Sequence, residues 1–152
     1  MVAEPRAISE LPPDIDVLFA SATDEGHNLM SRLVNEWRVG SNRFDRPGEV
    51  LAEVRCDGAL LGVGGLNVDP YLDDPTVGRI RHVYVYPPWR RKGVGRILIG
   101  FLVDHARDHF ERVRLRSLRD PGPDFYAALG FAITEAADAT HEVWLGRHTA
   151  AE

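Results

Sequence analysis

Cysteine is almost absent from this chain of 152 residues: Cys56 stands alone, so no internal disulfide can form, and no Cys-rich metal motif exists. No apolar run approaches the roughly 20 residues that a membrane-spanning helix requires. Residues 1–10 lack the cationic start and apolar stretch of a signal peptide. An excess of basic charge is missing too. Lys and Arg number 18 against 23 Asp and Glu, a net charge of −5, which excludes the overall electrostatic footprint of a nucleic-acid binder. There is no G-x-x-x-x-G-K-[ST] and no G-x-G-x-x-G, so the common nucleotide-phosphate loops are excluded. No repeat or low-complexity tract occurs. These absences lead us to expect one soluble, cytoplasmic domain over residues 1–152, with no nucleic-acid or membrane partner. Its 44% hydrophobic content is enough for one core.

What is present concentrates in Arg90-Arg91-Lys92-Gly93-Val94-Gly95-Arg96. Upstream, residues 80–86 are rich in β-branched and aromatic side chains and stop at Pro87-Pro88, the pattern of a strand end. Downstream, Val94, Ile97, Leu98, Phe101 and Leu102 recur at helical spacing. A loop with two glycines and four cations at the start of a helix can turn its N–H groups inward, toward the positive end of the helix dipole. An anion such as a phosphate suits that concavity.

The rest of the chain reads as follows. Residues 4–9 predict a short strand, stopped by Leu11-Pro12-Pro13. After an Asp14 N-cap, Ile15, Leu18, Phe19 and Ala22 share a helical face, although Ile15, Val17 and Phe19 also alternate as a strand would. Leu29, Met30, Leu33, Val34 and Trp37 form a second helical stripe ending at Gly40. Residues 49–56 and 59–68 flank Asp57-Gly58, a hairpin signal. Residues 67–77 form an acidic loop, read as solvated rather than metal-binding because Asp69, Asp73 and Asp74 lack ligand spacing. Val113, Leu115 and Ser117 alternate with Arg112, Arg114 and Arg116 as a half-exposed strand, parallel to the one before the long helix. A helix capped by residues 120–123 and running to Leu129, then a hairpin of 131–134 with 142–145, completes the chain.

Residues 83–98 resemble the acyl-CoA signature of the GNAT N-acetyltransferase superfamily, [RQ]-x-x-G-x-[GA], through Arg90, Gly93 and Gly95. Phe125-Tyr126-Ala127-Ala128-Leu129-Gly130-Phe131 resembles the family's later F-Y-x-x-L-G-F block. The resemblance implies an α/β (α+β) fold: a mixed, mostly antiparallel twisted sheet of about seven strands with about four helices, and a V-shaped splay between strands four and five. It implies acetyl-CoA as cosubstrate and no metal. Main-chain groups of Val83 and Val85, with Tyr84 between them, would hold the pantetheine arm, and the Val85 N–H would meet the thioester oxygen. The backbone from Arg91 through Lys92, Gly93, Val94, Gly95 and Arg96 would cradle the pyrophosphate, with Arg90, Arg91 and Arg96 side chains around it.

The implied reaction is direct attack of an amine, on a small molecule or peptide, upon the thioester through a tetrahedral intermediate. An amine with a pKa near 10.4 must first lose a proton, and the departing thiolate must gain one. Resemblance assigns the acid to Tyr126. The base is open, because Arg81 stands where many relatives carry glutamate, and an arginine stays charged. A water chain, His82, His141, Asp69 and Glu36 are the alternatives, with His82 expected on the strand face opposite Arg81, Val83 and Val85. The acceptor side nominates Arg81, Asn42, Arg43 and Asn67, along with Trp37, Phe44 and Tyr71, Arg81 being open to binding an acceptor carboxylate or pairing with an acid. Trp144 is read as sheet packing. A homodimer is admitted, and so is a second class of function: a non-catalytic acyl-CoA-binding sensor or scaffold.

Overall fold

The computed structural model describes residues 2–117 and 123–146. Its elements run β1 (Glu4–Ile8), α1 (Ile15–Asp24), α2 (Leu29–Val39), β2 (Val50–Cys56), β3 (Ala59–Val68), β4 (Val77–Val85), α3 (Val94–Ala106), β5 (Arg112–Leu115), α4 (Pro123–Ala128), β6 (Ala132–Ile133) and β7 (His141–Trp144). The expected helix cap at residues 120–122 lies outside the described residues. The strands form one sheet in the order β1-β2-β3-β4-β5-β7-β6, in which only β4 and β5 run parallel. The expected mixed, mostly antiparallel sheet with four helices is what forms.

Local chemistry explains most elements. Asp57 and Gly58 both take positive φ, 51° and 82°, the two-residue turn whose twist matches a hairpin, and β2 pairs antiparallel with β3 around it. The ambiguity at residues 15–24 resolves as helix because Ile15, Leu18 and Ala22 bury together while Val17 faces solvent. β4 begins three residues before the expected Ile80, since Val77, Gly78 and Arg79 pair with Arg112, Val113 and Arg114 of β5, partners far away in sequence.

Two cores sandwich the sheet. On one face α3 packs Leu98, Ile99 and Leu102 against Ala52, Val54 and Leu61. On the other, Leu18 of α1 and Met30 and Leu33 of α2 meet Val63, Phe44 and Tyr84. Each large apolar side chain sealed this way is worth about 1.5–3 kcal/mol.

Three expectations about polar and aromatic surfaces are corrected. Arg114 is not on a solvent face; it is buried against Asp69 and Asp138. Asp69 is buried as well, receiving Arg79 at 3.4 Å and Arg114 at 3.5 Å, so this loop carboxylate is a structural counter-ion and not a solvated one. Trp144 does not pack the sheet interior: it is exposed, with the Arg112 guanidinium 4.9 Å from its ring centre.

Candidate active site

β4 and β5 pair only from Val77 to Arg79, and beyond Arg79–Arg114 the strands diverge. This is the expected splay. On its other side β4 pairs with β3, where Val63 lies opposite Tyr84 and Gly65 opposite Arg81, so His82 and Val83 together oppose Gly64 alone. One extra residue in β4 makes a bulge, and His82 absorbs it with a φ of +60°. The strand's alternation resets there.

That reset overturns the expected placement of His82. Arg81 and His82 lie on the same side, toward α2, at 3.7 Å and 3.5 Å from the Glu36 carboxylate. Val83 and Val85 instead pack with the α3 core. The glycines of β3 are the sequence signal for such a bulge, since a strand interior carrying several glycines marks irregular pairing. His82 is buried, and neither ring nitrogen makes a well-formed hydrogen bond among the described residues. Burial first, and then the Arg81 charge, hold its pKa down to about 4 although Glu36 pulls the other way. At neutral pH it is an uncharged imidazole with lone-pair capacity.

Below the bulge, Tyr86 donates its N–H to the Leu61 carbonyl of β3. Antiparallel alternation therefore turns the main chain of Val85 away from β3, into the gap toward β5. Its carbonyl accepts from Arg90 Nε at 3.0 Å. The rest of the Arg90 guanidinium grips both oxygens of Glu25 at 2.7 and 2.8 Å, and Glu25 also accepts from the Tyr84 hydroxyl at 2.6 Å. Arg90 with its second charge-assisted bond, and then Tyr84, hold the Glu25 carboxyl at about 2. Arg90 and Tyr84 thus tie the loop and β4 to α1; their side chains are committed there.

The two loop glycines have different reasons. Gly93 takes φ +87° and ends the loop as the N-cap of α3 with open space over it, and Arg91 is also left-handed at +63°. Two such residues around Lys92 curl the backbone into a concave turn. Gly95 follows within the first turn, where an added Cβ would sit 3.3 Å from the Phe125 ring. The N–H groups of Gly95 and Arg96 have no acceptor among the described residues, as first-turn helical N–H groups do. Arg91, Lys92 and Arg96 are exposed around them, whereas the Val94 side chain is core.

α4 delivers Tyr126 to the far wall of the gap. It is buried, its ring rests near Phe125, Phe131 and His141, and its hydroxyl hydrogen-bonds the Ser117 side chain. Burial pushes this phenol above its ordinary range, with Ser117 opposing, so the proton is firmly held.

A cleft of about 620 Å³ runs from Tyr126, Ser117 and Val83 to the α1–α2 turn, and Arg81 and His82 line it. Five nominated acceptor residues lie elsewhere, two of them, Trp37 and Phe44, in the α1–α2 core. Asn42 and Asn67 exchange reciprocal amide bonds at 2.9 Å, bracing the α2 exit to β3, and Arg43 donates to the Trp37 carbonyl at the helix end. Tyr71 lines the cleft. Arg32, Arg79 and Arg116 also line it, and no local pattern singled them out, since they come from α2, β4 and the end of β5.

A family model for GNAT acetyltransferases matches residues 15–131. No curated protein sequence matches the chain. Among solved structures, a protein from Exiguobacterium sp. 255-15 described as a candidate acetyltransferase is 25% identical, covering 100% of this chain and 99% of that one with a TM-score of 0.86. A GNAT-family N-acetyltransferase from Escherichia coli in complex with CoA is 17% identical over 96% of this chain and 83% of that one, TM-score 0.69. A candidate acetyltransferase from Salmonella typhimurium solved with acetyl-CoA is 16% identical over 95% of each chain, TM-score 0.66. With the signature loop, the splayed sheet and a family match spanning most of its length, the chain belongs to the GNAT family of acetyltransferases.

Proposed function

We propose that this protein transfers an acetyl group from acetyl-CoA to an amine. One observation carries the reading: the Val85 N–H and the first-turn N–H groups of α3 are uncovered around the same gap, at the strand end and loop where a strand-like arm ending in a diphosphate would lie. The residues fit that group. The open space over Gly93 and the exposed cations of Arg91, Lys92 and Arg96 suit it. CoA and acetyl-CoA in two fold relatives support the choice.

Bound acetyl-CoA would supply an acyl group activated as a thioester. The chain's own residues then divide the work. The Val85 N–H, directed into the gap, is the donor for charge developing on the carbonyl oxygen. Tyr126 holds a proton and gives it to the departing sulfur; a phenol near 10 and a thiol near 8.5 differ by only about 2 kcal/mol of transfer cost before burial is counted. Arg81 cannot take the proton of the attacking amine. A water chain through the cleft is the base this leaves, because both His82 ring nitrogens are buried and its imidazolium is disfavoured even with Glu36 beside it.

The test is a panel of amines with acetyl-CoA, read by release of free thiol. Turnover on at least one amine class, lost in Tyr126→Phe, supports the enzyme. Acetyl-CoA binding seen by calorimetry without turnover on any amine returns the protein to the non-catalytic class.

A further inference from the structure

Among the described residues, Arg32, Arg79, Arg81 and Arg116 line the cleft with guanidiniums and no Asp or Glu does, in a chain whose net charge is −5. These four are not equally occupied. Arg79 is spent on Asp69 at 3.4 Å and on the Asp138 carbonyl at 2.6 Å. Arg81 is only loosely held, 3.7 Å from Glu36 and 3.4 Å from the Asn67 amide oxygen. Arg32 and Arg116 are exposed and pair with no carboxylate among the described residues.

Such a wall is hostile to a plain amine. With a pKa near 10.4 an alkylamine arrives as a cation, and guanidiniums in a cleft of reduced dielectric repel it. A carboxylate on the same molecule reverses the balance. Planar guanidinium suits that group, and the same positive field lowers the pKa of the neighbouring ammonium, favouring the free amine that attacks.

We propose that the acceptor is an amino acid or a similar amine bearing a carboxylate, held by Arg81 inside the cleft with Arg32 and Arg116 at its rim. The inference rests on the acyl-transfer reading and adds the substrate class. The carboxylate docks on the α2 side of β4, which leaves the amine to point past His82 toward the Val85 end of the gap.

The experiment compares three matched acceptors for each of several α- and ω-amino acids: the free acid, its amide, and the amine lacking the carboxyl carbon. Thiol release gives kcat/KM at low and high salt. Free acids should exceed both neutral forms by about 10- to 100-fold, the span of a charge-assisted hydrogen-bonded pair, and the advantage should shrink with salt. Arg81→Gln should abolish that preference through KM for the acid while leaving KM for acetyl-CoA unchanged; Arg81→Lys should restore part of it. Arg116→Gln, at an exposed position that does not endanger folding, should lower the preference about 2- to 5-fold. Amides and simple amines turning over as well as the acids would overturn this inference and leave acyl transfer standing. So would an Arg116→Gln defect expressed only in KM for acetyl-CoA. Binding of acetyl-CoA with no turnover on any member of the panel sinks both.

Discussion

Arg79 and Arg114 are the last residues to pair across β4 and β5, and both guanidiniums converge on one oxygen of Asp69. Asp138 completes the cluster through its carboxylate to Arg114 and its carbonyl to Arg79. The strands therefore part at the point where two like charges meet, and a buried carboxylate keeps them together. Asp69→Asn leaves Arg79 buried without a carboxylate, beside an Arg114 that keeps only Asp138. Chemical denaturation should show a loss of about 3–5 kcal/mol, the usual cost of breaking a buried pair. A loss below about 1 kcal/mol would mean that water already screens the cluster.

Gly93 and Gly95 should fail differently when replaced by alanine. At Gly93 there is space but the wrong backbone, so Gly93→Ala should cost about 1–2 kcal/mol of stability and weaken acetyl-CoA binding with it. At Gly95 the backbone is helical and alanine is the better helix former, so Gly95→Ala lifts local propensity while pressing on Phe125 at 3.3 Å. Stability should change by under about 1 kcal/mol there, with acetyl-CoA affinity reduced. Calorimetry and thermal melts on the two variants separate strain from crowding.

Tyr126→Phe removes one hydroxyl from a packed ring. If the phenol supplies the proton to sulfur, kcat should drop about 100-fold while KM for acetyl-CoA moves little. Because burial raises its pKa, any alkaline loss of the wild-type rate from this group should come at higher pH than an ordinary tyrosine would give. A variant with wild-type kcat would remove Tyr126 from the chemistry.

His82 makes the fold acid-sensitive. Its pKa is about 4 in the folded protein against an ordinary 6.5, so between these values the unfolded chain binds more protons and stability rises with pH. The contribution is complete above about pH 6.5, is lost as pH falls toward 4, and amounts to something on the order of 3 kcal/mol. Denaturation midpoints from pH 4 to 7.5 should fall less steeply in His82→Asn, asparagine being one of the non-glycine residues that tolerate the left-handed backbone at this position. Parallel curves for the two proteins would contradict the assignment.

The loop, the Tyr126 block and nearly every element were legible because their signals are local: proline stops, glycine turns and apolar periodicity. What stayed hidden depends on partners distant in sequence. The face of His82 could not be read by counting along β4, since a bulge opposite Gly64 breaks the count. Arg114 alternates like a surface residue, and only Asp69, far upstream, buries it. Asn42 and Asn67 looked like a polar acceptor lining, yet they satisfy each other. A cleft assembled from α2, β4 and the end of β5 leaves no contiguous trace in the chain.

The parting of β4 from β5 leaves a sheet with an unfinished rung at its centre. Elsewhere an exposed strand edge is a hazard, and proteins blunt it with charge or cover. Here the missing neighbour need not be polypeptide, because any extended ligand with alternating amide groups can take the vacant row. Ligand capture then doubles as repair of the fold, and each tenfold excess of ligand over its Kd should add about 1.4 kcal/mol to the protein's resistance to unfolding.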